Sequence, residues 1–244
     1  MVSARSLAIA LAPDLLTAVV RSGEHIVAHS AVRIPVDYPH GHWQSALSAF
    51  AGYLRNAGIA LRGAPVSVSL TTRWCQLAML PWSEALLQAD SARRFQEAQF
   101  VALYGQVARN WAFVCDEAPY GQPRLACAVE RAFLEGLQTI AHECGHPCGV
   151  VESVLSNAWR SIAANNVEAF ALVEPGRLVL AAAAQGRIVG VQAGALRGPW
   201  HSEMPSGWQR WTMCAPEIGD IAQVALVDLG SRRAQGRGDV RRSA

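Results

Sequence analysis

Hydrophobic residues at the start of this chain fall into short aliphatic and β-branched runs separated by turn residues. Leu7–Leu11, Leu15–Val20 and His25–Pro35 are divided by Pro13-Asp14 and by Ser22-Gly23-Glu24. Pro presets φ and Gly accepts positive φ, so both dividers are turn chemistry, and the three runs predict an antiparallel meander. The rhythm returns at an offset of about 162 positions, where Phe170-Ala-Leu-Val-Glu-Pro-Gly falls under Ala8-Ile-Ala-Leu-Ala-Pro-Asp. Pro13 then lies over Pro175, Leu16 over Leu178 and Ile26 over Ile188, and the second turn lies over Ala184-Gln185-Gly186. Identities are few, but the strand-turn-strand-turn-strand order is shared. The chain therefore reads as two halves, each opening with a three-stranded meander.

Between the meanders the period changes. Trp43, Ala46, Leu47, Phe50, Leu54 and Ala57 recur at helical spacing, with Gly58 as the stop. Residues 65–70 alternate apolar and polar, and 74–80 form a second strand ended by Pro81. Ser83 suits an N-cap and Glu84 a first turn, so one helix is expected from there to Tyr104, with Gly105 ending it. Residues 111–115 and 123–129 predict paired strands around the turn-rich 118–122. A helix over 131–143, a strand over 148–152 and a helix over 156–164 lead to the second meander. A helix among Trp200, Trp208 and Trp211 and a last strand over 224–229 follow it.

Composition narrows the class. Hydrophobic residues make up 51% and charged residues 16%, which suits a packed core and not a disordered chain. No apolar run approaches the ~18–20 residues of a membrane span, and Pro13-Asp14 interrupts the N-terminal run too early for a secretory leader. The expectation is a cytoplasmic protein. Every basic residue is Arg, so chemistry that requires Lys, such as a P-loop or a Schiff base, is excluded. Five Arg against one Asp give residues 230–244 a local +4, so the net +2 leaves the body at −2. A body that is not basic argues against a nucleic-acid partner. The six scattered Cys read as free thiols.

Met79-Leu-Pro-Trp-Ser-Glu-Ala-Leu, the helix ending Leu103-Tyr104-Gly105, and Tyr120-Gly-Gln-Pro-Arg-Leu-Ala-Cys-Ala-Val-Glu, set between two meander-led halves, resemble one group of the actin-like ATPase superfamily. These are the PilM- and GspL-type components of type IV pilus and type II secretion platforms. The resemblance spans roughly residues 5–229. It implies an α/β fold with mixed sheets, actin-like (ribonuclease H-like), in two similar halves. On this plan residues 1–165 are the first half, with a helix-strand subdomain inserted near 81–130. Residues 166–229 are a shortened second half, and 230–244 an Arg-rich disordered tail outside the fold. Without the transmembrane helix and periplasmic domain of GspL, the chain looks more like PilM.

Nucleotide-binding members place an Asp at the end of the first strand of each half and glycines in the next turn, where backbone N–H groups meet phosphates. Here the first turn, Ala10-Leu-Ala-Pro13-Asp14, has no Gly, and its Pro removes a donor. In the second turn Glu174 and Gly176 flank Pro175. They are either the remnant of a phosphate loop or an ordinary hairpin turn, and the hairpin is the favoured reading. His142, Cys144, His146 and Cys148 are all possible zinc ligands, but four so close in sequence hardly surround one ion, so the expectation is no metal. His25 and His29 share a strand face by even spacing and lack further ligands. No nucleophile elbow is present.

The expected function is a non-catalytic scaffold with no cofactor, binding a small inner-membrane platform protein through its cytoplasmic segment. An assembly ATPase and a second copy of the chain are further candidate partners, and the chain is expected to sit peripherally at the membrane. The alternative is an active or vestigial ATPase of the same fold. The resemblance implies a groove in the first half for an extended peptide. Trp82, Phe95 and Tyr104 are the candidate anchors, because aromatic side chains bury much area with few rotors.

Overall fold

The computed structural model describes residues 5–37, 41–165, 167–215, 224–229 and 241–242. The chain divides into two compact units, the first made of Met1–Cys75, Asn110–Ala112 and Val129–Val154, the second of Gln76–Arg109, Phe113–Ala128 and Leu155–Ala244.

The first unit opens with β1 (Arg5–Leu11) and β2 (Leu15–Ser22), antiparallel with Leu7 opposite Val20. The expected third strand is broken into β3 (His25–Ile26) and β4 (Val32–Pro35), both paired to β2. Between them the Ser30 hydroxyl accepts from the Val20 N–H at 3.1 Å and donates to the Val27 carbonyl at 2.6 Å, so a side chain takes a ladder position. Helix α1 (Gln44–Asn56) then crosses to β5 (Val66–Leu70), which lies parallel to β1 with Leu7 opposite Val66. The period of two puts Leu7, Ile9 and Leu11, and beside them Val66, Val68 and Leu70, on buried positions at 0–1% exposure. Each such side chain contributes roughly 1.5–3 kcal/mol of transfer free energy.

The chain leaves for β6 (Cys75–Leu80), a short 3-10 turn over Glu84–Leu87, α2 (Ala89–Tyr104), β7 (Trp111–Cys115) and β8 (Arg124–Glu130). These strands form a three-stranded sheet in the order β6-β8-β7. The single helix expected from Ser83 is in fact two pieces. Ser83 does cap, accepting from the Ala85 N–H at 3.3 Å, but Gln88 is extended at φ −129°, ψ 134° and separates the 3-10 turn from α2. Helix α3 (Arg131–Glu143) and β9 (Cys148–Ser153) complete the first unit, with β9 parallel to β5 and the sheet ordered β3-β2-β1-β5-β9.

After α4 (Val154–Ile162), which starts two residues before the expected helix, the second unit repeats the plan. Strands β10 (Ala169–Glu174), β11 (Arg177–Ala184) and β12 (Arg187–Ala195) form the meander, α5 (Trp200–Cys214) crosses, and β13 (Ala225–Asp228) lies parallel to β10. All six residues of β10 are buried, because both faces of this strand are covered. On one face Ala171, Val173, Leu180 and Leu226 pack with Trp211 of α5; on the other Phe170 stacks on Trp159 of α4, ring centroids 5.8 Å apart. Most of the tail expected outside the fold lies beyond the described residues. Within it, β14 (Arg241–Arg242) pairs antiparallel with β13.

Candidate functional site

The two turns where a phosphate loop would sit are both closed two-residue hairpins. In the first, Ala12 N–H donates to the Leu15 carbonyl at 2.9 Å and Leu15 N–H returns to Ala12 at 3.4 Å, leaving Pro13-Asp14 as the loop. In the second, Glu174 stands opposite Arg177, with Pro175-Gly176 between them and Gly176 at φ 71°. Pro followed by Gly at positive φ is a type II turn, so the hairpin alone accounts for both residues. Glu174 is 3% exposed at the end of β10, and the Gly176 carbonyl accepts from Leu196 N–H at 3.0 Å. An anion cradle needs successive N–H groups converging on one point. In each loop the first residue is Pro and has none.

The Cys and His residues separate. His146 is 4% exposed, and its Nδ1–H donates to the Ala64 carbonyl at 3.0 Å. Its backbone N–H donates to Ala141 at 2.9 Å, and the next carbonyl, Pro147, accepts from Val66 N–H at 2.8 Å. His146 thus ties the end of α3 to the start of β5. His142 is exposed, while Cys148 is half-buried on β9, where burial pushes its thiol above the usual range. Among the described residues no group of three or more His, Cys, Asp or Glu is placed to hold a metal ion. The shared face expected for His25 and His29 does not form. The strand stops at Ile26, and His29 sits in the intervening turn at φ 57°.

Of the three aromatic candidates, Trp82 packs against Tyr120 with ring centroids 4.6 Å apart. Tyr104 stacks on Phe100 at 6.0 Å, and Phe100 meets Phe113 at 5.3 Å, so the Tyr104 ring extends the seam between α2 and β7. Burial pushes the Tyr104 hydroxyl above the usual tyrosine range, and the Arg177 guanidinium partly offsets this. Phe95 lies half-buried on α2. Nine positions separate it from Tyr104, half a turn out of phase at 3.6 residues per turn, so the two face different sides. The three do not make one patch. Sequence reasoning passed over Tyr120, 73% exposed, and Val114, 65% exposed, the two most exposed large apolar side chains between residues 76 and 128. Tyr120 stands in a turn-rich loop, where a large aromatic residue has little core to enter, and that was the available signal.

No protein-family model matches the sequence, and no curated protein matches it either. Solved structures do. A chain of the PilM–PilN type IV pilus biogenesis complex aligns over 94% of this chain and 83% of its own, with TM-score 0.68 and 13% identity. A Bacteroides thetaiotaomicron protein with an actin-like ATPase fold and unknown function aligns over 87% and 78%, with TM-score 0.61 and 10% identity. The cytoplasmic domain of EpsL, an inner-membrane component of the Vibrio cholerae type II secretion system, aligns over 92% and 82%, with TM-score 0.56 and 10% identity. The repeated meander, crossing helix and parallel fourth strand are thus those of the actin-like ATPase fold.

Proposed function

We propose that this chain is a non-catalytic scaffold of a type IV pilus or type II secretion-like assembly platform, capturing the cytoplasmic segment of an inner-membrane partner. The observation that carries this reading is the likeness to a chain of the PilM–PilN complex across 83% of that chain. The Pro-led loops of both meanders support the absence of turnover, since they lack the donor array that phosphate needs. No described helix is long and apolar enough to cross a membrane, in keeping with a part held at the membrane through a partner. An assembly ATPase is a second partner on the same reading. The surface we assign to capture is the pair of half-buried Trp82 and exposed Tyr120, with Phe95 and Tyr104 elsewhere on the same inserted segment. Aromatic anchors of this kind dominate binding energy when a ligand closes over them.

The test is a calorimetric titration with the cytoplasmic peptide of the membrane protein encoded beside this one. Wild type is expected to bind, and Trp82→Ala, confirmed as folded, to bind at least tenfold more weakly. Equal binding by Trp82→Ala and Tyr120→Ala would move the site elsewhere. Absence of binding by wild type would reject the scaffold reading.

A further inference from the structure

The loop that carries Tyr120 joins β7 to β8 over residues 116–123. At its tip Gln122 N–H donates to the Pro119 carbonyl at 3.1 Å, and Gly121 stands at φ 78°. Positive φ at the third position is that of a type II turn, which puts Tyr120 at the second position, an outward corner. At its base Asp116 N–H donates to the Leu125 carbonyl at 2.9 Å. One side chain from outside the loop holds both of its stems. Arg187 Nη2 donates to Asp116 Oδ2 and to the Pro123 carbonyl, each at 3.2 Å. Arg187 opens β12 and stands opposite Ala184, straight after the two-residue turn Gln185-Gly186, whose φ angles are both positive, 52° and 74°. Such a type I′ turn fixes the strand ends that it joins, so the arm leaves from a set point. The clasp is not built for stability alone. Asp116 Oδ1 and Arg187 Nε are buried with no partner among the described residues, whereas a fully engaged Arg–carboxylate fork would use both prongs.

We propose that Arg187 is a positioning residue for peptide capture: by clasping Asp116 and Pro123 it sets the 116–123 loop so that Tyr120 stands beside Trp82, ready for the partner's segment. This role rests on the reading that the Trp82–Tyr120 pair is the capture surface. The two rings lie 4.6 Å apart although Trp82 follows β6 and Tyr120 lies between β7 and β8, so their pairing depends on where the loop is held. Tyr120 is 73% exposed, and a side chain so exposed has little packing of its own to fix it. Without the clasp the loop samples more positions, and binding must then supply the free energy of ordering it. Arg187 acts through the loop and not by contact with the peptide. It ties the capture surface, on the inserted segment, to the second meander.

The test is a double-mutant cycle on the full chain, read by calorimetry with the cytoplasmic peptide of the membrane protein encoded beside this one. Arg187→Met is expected to weaken binding roughly fivefold, through the lost order of the loop. In a Tyr120→Ala background the same change should have almost no effect, because the group that it positions is gone. Arg187→Lys should recover most of the affinity, since one nitrogen makes both contacts and an ammonium carries three donors. Hydrogen exchange without peptide reads the loop directly. The Gln122 amide should exchange faster in Arg187→Met, while the amides of β10 keep their wild-type protection. Wild-type binding that Arg187→Met leaves intact overturns the proposal and spares the capture reading. So does a loss equally large in the Tyr120→Ala background, or an Arg187→Lys as weak as Arg187→Met. Wild type that binds no peptide removes the capture reading and this role with it.

Discussion

Gly176 shows how a single position in the candidate site answers to backbone geometry. Its φ of 71° is required at the third position of a type II turn, and a Cβ built there meets nothing within 4 Å. The cost of a side chain is therefore conformational alone. Gly176→Ala should lower the unfolding free energy by about 1–2 kcal/mol in urea denaturation, without loss of sheet signal. A change near zero would mean that the turn relaxes to another type and that the hairpin does not explain the glycine. This residue was legible beforehand, because Pro-Gly between two aliphatic runs names its own turn. Ser30 was not. A Ser in an alternating run reads as one more outward polar residue, and only the fold shows its hydroxyl held between Val20 and Val27. For the same reason His25 and His29 looked paired, since even spacing implies a shared face only while the strand continues.

Elements were legible where their period was long and their stops were chemical. Helices α1, α2 and α3 all end at glycines of positive φ, Gly58, Gly105 and Gly145, which the sequence displays. The break at Gln88 was not, because neither Gly nor Pro marks it and a turn of 3-10 helix reads like α-helix. Packing between elements was less visible still. Helices α1 and α3 meet at Gly136, where a Cβ would stand 2.7 Å from Leu47 Cδ1. That atom is the far end of a flexible side chain, so Gly136→Ala should be accommodated by a small rotation of Leu47. Gly136→Val has no such escape and should destabilise by about 1–3 kcal/mol through overpacking. Thermal unfolding of the pair checks this. Equal stability of Gly136→Val and wild type would show that the helices are free to separate. The seam is also where Phe133 of α3 stacks on Trp43 at 5.2 Å, while the Trp43 Nε1–H donates to Glu130 at 2.8 Å.

At the scale of the molecule the internal repeat was the most informative sequence feature, and it was readable because turns recur at a fixed offset even when side chains do not. What it lacked was the long-range pairing: β1 beside β5, and β10 beside β13, both parallel, cannot be read from local pattern. Nor can the strand that Arg241–Arg242 lend to the open edge of β13, since Arg-rich sequence ordinarily signals a solvated tail. The repeated unit bears on the choice between scaffold and ATPase. Glu174, buried at the end of β10 beside a glycine of positive φ, is the feature that most favours nucleotide binding. Against it, the Pro13-Asp14 and Pro175-Gly176 loops each close as a two-residue hairpin whose first residue has no N–H. Phosphate recognition rests on several convergent donors, and a carboxylate with no such array near it repels the anion unless a metal intervenes. The expected outcome is that calorimetry with ATP and Mg²⁺ detects no micromolar binding to the full chain. Binding that disappears in Glu174→Ala would show that the buried carboxylate holds the metal and would establish the ATPase reading. Binding that survives Glu174→Ala but is lost in Asp14→Asn would assign the same role to the first turn.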